Sequence, residues 1–99
     1  MQKSGIGTGS TKPSKHQLCK YAILMCLSGS HSLDFEQLGQ HTGFEDKTIV
    51  RILGKLMQWQ EVKKEDGENG NKTYVITKAG TNKLNYFKRN GYNQYWQPA

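Results

Sequence analysis

Apolar residues recur at intervals of three and four from Leu18 onward, and Leu18, Cys19, Ala22, Ile23, Cys26 and Leu27 make one stripe of a helix. The helix is predicted to begin at Lys15, because Ser14-Lys15-His16-Gln17 is a capping box in which the serine hydroxyl accepts from one free amide and Gln17 reaches back to another. Ser28-Gly29-Ser30 stops it near Leu27. A short extended piece around Ser32 and Leu33 follows. Asp34-Phe35-Glu36-Gln37 then repeats the start signal with a carboxylate as cap, predicting a short second helix with Phe35, Leu38 and Thr42 inward. Thr42-Gly43-Phe44 reads as a tight turn whose glycine takes a positive φ. A third helix starts at once, with Glu45 or Asp46 able to cap it. Ile49, Ile52, Leu53 and Leu56 form its apolar face, which leaves Lys47, Thr48, Val50, Arg51, Gly54, Lys55 and Gln58 outside.

Beyond Trp59 the period approaches two. Val62-Lys63-Lys64 and Lys72-Thr73-Tyr74-Val75-Ile76 are strand-like, and the turn-rich stretch from Glu65 to Asn71 joins them as a hairpin. Thr77 caps a last helix that runs to about Arg89 with Leu84 and Phe87 inward, and Asn90-Gly91 ends it. The expected organisation is a flexible basic arm over residues 1–13, one domain over 14–91 and a mobile aromatic tail over 92–99 with Tyr92, Tyr95 and Trp96.

Composition narrows the picture. Leu, Ile, Val and Phe number 19 among 99 residues, a fraction near that of disordered chains, but 18 of them lie between Leu18 and Phe87, enough for one small core. The net charge of +6 is uneven: residues 1–30 carry +4, residues 31–60 carry −1 and residues 61–99 carry +3. Two basic ends favour a polyanionic partner, nucleic acid before membrane. The longest apolar run, Tyr21 to Leu27, is seven residues, far short of the roughly 20 that span a bilayer. With no apolar stretch after Met1, a cytoplasmic location is expected. Cys19 and Cys26 fall on one helix with Cα atoms about 10 Å apart, beyond disulfide reach, and the spacings of His16, Cys19, Cys26, His31 and His41 match no zinc site. Core cysteines, no metal and no cofactor are the expectation. Gly5-Ile6-Gly7-Thr8-Gly9-Ser10 follows no strand and lacks a phosphate-reaching lysine, and no nucleophile motif appears, which argues against an enzyme.

Three helices with a tight turn between the second and third, then a two-stranded hairpin and a C-terminal helix, is the order of an α+β winged helix-turn-helix domain. From Asp34 to Val62 the chain resembles the bacterial and archaeal regulators of the MarR and PadR type, registering without a gap. Leu38 and Gly39 sit at the apolar and small pair of the second helix, and Thr42-Gly43-Phe44 sits at the turn. Thr48-Ile49 with Arg51 opens the recognition helix, and Leu53 with Leu56 lines its core face. Thr77, Gly80 and Leu84 match residues that commonly follow the wing. Three positions depart from the pattern. Gln60 stands where glycine usually closes the recognition helix, Glu61 stands at an apolar position that Trp59 and Val62 are expected to cover, and Thr42 replaces an apolar residue at a packing cost unless its hydroxyl bonds locally.

The resemblance implies sequence-specific binding of double-stranded DNA by a small transcriptional regulator, with the third helix in the major groove and the wing on the backbone. Lys47, Thr48, Val50, Arg51, Gly54 and Lys55 are the candidate groove face, and Lys63, Lys64 and Lys72 are the candidate wing contacts. Arg51 can grip guanine bidentately or hold a phosphate, Thr48 and Val50 can touch a thymine methyl, and Gly54 lets the backbone approach closely. Glu65, Asp66 and Glu68 at the wing tip point the other way, and with Val50 they favour a rival: a protein interaction module whose partner meets the wing or the exposed third helix. An architectural or RNA-binding protein is a second rival. Lys3, Lys12 and Lys15 can follow a DNA backbone or have no role. For Tyr86, Phe87, Tyr92, Tyr95 and Trp96 the alternatives are packing on the domain, a homodimer contact or base stacking.

Overall fold

Each helix starts where a polar side chain stands at its N-cap. The computed structural model describes residues 13–30, 32–67 and 70–97. Its elements are α1 (Lys15–Ser28), β1 (Leu33–Asp34), α2 (Phe35–Thr42), α3 (Asp46–Gln58), β2 (Val62–Asp66), β3 (Lys72–Ile76) and α4 (Lys78–Arg89), followed by a 3-10 turn over Tyr92–Gln94. The predicted arm lies, up to residue 12, outside the described residues, as do His31, Glu68 and Asn69.

The capping box of α2 is complete: Asp34 Oδ1 accepts from Gln37 N at 2.7 Å, and Gln37 Oε1 accepts from Asp34 N at 3.0 Å. At α1 only half of the predicted box forms. Ser14 Oγ accepts from Gln17 N at 3.2 Å, but Gln17 Oε1 is used 75 residues away, where it accepts from the Tyr92 hydroxyl at 3.0 Å. Glu45 occupies the N-cap of α3 without a side-chain capping bond, so the expected carboxylate cap is corrected. Its carboxylate pairs with Lys15 instead, at 3.5 Å.

Gly43 (φ 76°) closes α2, as the turn requires. The end of α3 is less ordinary. Gln60 N donates to Met57 O at 3.0 Å and Glu61 N to Leu56 O at 2.8 Å, the paired bonds of a Schellman motif, with Gln60 at φ 60° in the left-handed position that glycine usually fills. A side chain there costs about 1 kcal/mol. Gln60→Gly is therefore expected to raise stability by about 0.5–1 kcal/mol despite the entropy that glycine adds to the unfolded chain. Thermal unfolding followed by circular dichroism checks this, and an unchanged or lower Tm would show that the Gln60 side chain makes a compensating interaction.

The core collects around α1, against which α2, α3, α4 and β3 all pack. Neighbours on nearly every side bury Tyr21 and Leu24 in addition to Cys19, Ala22, Ile23 and Leu27, so the buried surface is wider than the single stripe expected, and Leu18 and Cys26 fall at its half-buried margin. Burial pushes the thiols of Cys19 and Cys26 up to about 12 and about 11, which keeps both protonated at neutral pH. The expected inward face of α3 is present in full, with Ile49, Ile52, Leu53 and Leu56 buried. Thr42 is buried as well. Its hydroxyl donates to Leu38 O at 2.6 Å and accepts from Phe44 N at 3.3 Å, the local bonding that this position needed.

The sheet has three strands where the sequence pattern predicts two, in the order β1-β3-β2, all antiparallel. β1 pairs Leu33 with Tyr74 and Asp34 with Thr73, tying the start of α2 to the wing. The expectation of a mobile C-terminal tail is corrected for the described residues. Tyr92 and Trp96 pack on Tyr21 with ring centroids 5.9 Å away in each case, Tyr92 lies 4.5 Å from Phe87, and Trp96 Nε1 donates to Thr42 O at 3.1 Å. Of the roles open to the aromatic tail, packing on the domain is the one these two residues fill.

Candidate nucleic-acid interface

The turn Gly43-Phe44-Glu45 sets α3 against α2 and α1, and the buried side of α3 leaves its opposite side to solvent. Lys47, Val50, Arg51, Gly54, Lys55 and Gln58 are exposed there, and α3 has no acidic residue after Asp46. Val50, the one apolar side chain of this face, is 59% exposed. A Cβ added at Gly54 would meet nothing within 4 Å, so the glycine makes a flat spot in the middle of this face.

Thr48 does not belong to that face. It is only 8% exposed, because α1 packs along the side of α3 on which it lies. The outward placement expected from helical spacing is corrected. Thr48 instead lines a cleft of about 290 Å³ together with Lys15, His16, Lys47 and Arg51. In the sequence His16 stands out only as a capping-box position and a rejected metal ligand, and Lys15 as the first residue of the helix and a possible backbone contact. Their juxtaposition with α3 depends on helix packing and has no local signature.

The three wing lysines are exposed, and two of them are neutralised by acids of the wing itself. Lys63 pairs with Glu65 at 3.6 Å, and Lys72 directly faces Asp66 across the ladder and pairs with it. The Lys72 ammonium holds the Asp66 carboxyl below its usual range. Lys64 alone of the three wing lysines makes no ion pair among the described residues. Exposed pairs of this kind contribute at most about 1 kcal/mol, so both are weak enough to exchange partners.

Behind the wing, Glu61 is half-buried and burial pushes its carboxyl up, against the opposing influence of Lys83 and Lys20. Val62 is buried as expected, but Trp59 is 68% exposed, so the covering role predicted for it is corrected. Trp59 is the C-cap residue of α3, just beyond Gln58. Among the described residues no group of three or more His, Cys, Asp or Glu stands where it could hold a metal ion, and no helix is long and apolar enough to cross a membrane.

A helical trio with α3 presented to solvent, a β-hairpin wing and a closing helix defines a winged helix-turn-helix fold. Solved structures share it. A protein of Streptococcus mutans UA159, smu.1704, superposes with a TM-score of 0.71 over 82% of this chain and 82% of its own, at 23% identity. Two crystal structures of MarR family transcriptional regulators from Silicibacter pomeroyi each superpose with a TM-score of 0.64 at 24% identity, covering 71% and 81% of this chain. The chain spans about half the length of those two regulators, 48% and 57%. No family model matches the sequence, and no curated protein matches it.

Proposed function

We propose that the protein is a transcriptional regulator that binds double-stranded DNA through α3 in the major groove, with the wing beside the backbone. The observation that carries this reading is the outer side of α3: Lys47, Val50, Arg51, Gly54 and Lys55 exposed together on a winged-helix frame, with no acid after the first turn. A helix fits the groove, and outward residues at such spacings reach successive base edges. The same face supports a binding role rather than a catalytic one. Selection of bound sequences from a random duplex pool tests it: a consensus supports the regulator, and retention without a consensus supports an architectural protein.

The net charge of +6 leads to a quantitative expectation. With about four to six phosphates neutralised, log affinity falls against log salt with a slope of roughly −4 to −5. A flat salt dependence in fluorescence anisotropy would argue that the charge does not meet a phosphate backbone.

A second reading has its own support. Val50 exposed in the middle of α3, with two of the three wing lysines already paired to acids, suits docking of α3 and the wing on another protein. Absence of any retained duplex in the selection would favour it. A homodimer stays part of this proposal, its contact falling to exposed Tyr86 rather than to Tyr92 and Trp96, which pack on the chain's own core.

A further inference from the structure

Two elements that lie far apart in the sequence bring positive charge to one cleft. Lys15 and His16 come from the first turn of α1, while Lys47, Thr48 and Arg51 come from α3, and together they line a recess of about 290 Å³. The nearby acid is Glu45, which holds Lys15 at 3.5 Å with both side chains more than half exposed. Such a pair exchanges readily for another anion. The cleft opens beside the outer side of α3, and when a helix occupies a major groove, the backbone bordering that groove runs along the helix flank. Lysine and imidazole N–H donors suit a phosphate, which offers only acceptors.

We infer that this cleft seats one backbone phosphate of bound duplex DNA, with Lys15, His16 and Lys47 as its donors. The inference rests on the DNA-binding reading above and adds α1 to the interface. The seated phosphate displaces Glu45 from Lys15 and fixes the angle at which α3 enters the groove. Lys15 thus acts as a positioning contact that carries no base preference.

The test compares the full chain with Lys15→Gln, His16→Ala and, as control, Lys78→Gln, an exposed lysine on the first turn of α4 that does not line the cleft. Binding of one fluorescent duplex is titrated over a range of salt. The expected result for Lys15→Gln is a salt slope shallower by about one unit and affinity several-fold weaker, with Tm unchanged. His16→Ala is expected to weaken binding several-fold, and Lys78→Gln to keep the slope of the unmodified chain. If Lys15→Gln and Lys78→Gln both reproduce that slope while the unmodified chain binds, the cleft inference fails and the DNA-binding reading stands. If the unmodified chain binds no duplex, both fall. A response of the cleft residues to inorganic phosphate in amide NMR spectra, with duplex binding insensitive to Lys15→Gln, overturns the inference in favour of a free-anion site.

Discussion

Replacing Gly80 with alanine is expected to destabilise the domain by about 2–3 kcal/mol, a large part of the roughly 5–15 kcal/mol that holds a chain of this length folded. Gly80 is buried in the first turn of α4. A Cβ there would lie 2.1 Å from Glu61 O and 2.7 Å from Ile76 Cγ1, and the first of these is backbone. The obstructing corner cannot yield easily. Glu61 O accepts from Thr77 N at 3.1 Å, Glu61 N donates to Leu56 O at 2.8 Å, and the Thr77 hydroxyl donates to Gln60 O at 2.6 Å. One residue further on, Val62 enters the ladder opposite Ile76. Relief of the clash must therefore break bonds that each contribute about 0.5–1.5 kcal/mol or lift α4 from the core. Gly54→Ala is the matching control. The position is mid-helix with open space around the new methyl group, so alanine should stabilise by up to about 1 kcal/mol. Urea unfolding of both variants checks the pair. A cost below about 1 kcal/mol at Gly80 would mean that α4 does not rest on the Glu61 corner.

Features governed by near neighbours could be read from the sequence, and those governed by packing could not. The Asp34–Gln37 box, the Gly43 turn and the Ile49, Ile52, Leu53 and Leu56 face depend on residues within one or two helical turns, and all appear where the pattern placed them. Gln60 is instructive. It stands where glycine usually closes this helix, and it takes the positive φ that glycine would have taken. By contrast, nothing local to Gln17 reveals that its side chain serves Tyr92 rather than its own helix, nor that Trp96 reaches the carbonyl of Thr42 across 54 residues. Pairing of the two-residue β1 with β3 is likewise non-local.

The candidate site divides along the same line. Exposure of Lys47, Val50, Arg51, Gly54 and Lys55 follows from the period of α3 alone. Thr48 lies at the boundary of that period, where the side from which α1 approaches decides burial, and periodicity is silent on that side. Trp59 shows the converse. An apolar residue beside a helix end is a reasonable core candidate, but here Val62 is buried and the indole stays outside.

Reading and holding should separate at Arg51 and Lys64. Arg51 is exposed on the outer side of α3, one helical turn after Lys47. Its planar fork of donors matches the acceptors on the major-groove edge of guanine. Arg51→Ala is therefore expected to cost about 1–3 kcal/mol on the selected consensus duplex and little on random DNA, so that specificity relaxes more than affinity for bulk DNA. Among the described residues Lys64 is the wing lysine without an acidic partner, and a wing strand beside the duplex offers an ammonium group only backbone oxygens. Lys64→Ala should weaken consensus and random duplexes alike and make the salt slope shallower by about one unit. Lys63→Ala should do less, because the charge it removes is already opposed by Glu65. Anisotropy titrations of both duplexes at three salt concentrations distinguish the roles. If Arg51→Ala leaves both affinities unchanged while Tm is intact, α3 is not the reading element. The exposed Val50 would then make a protein partner the better account of that face.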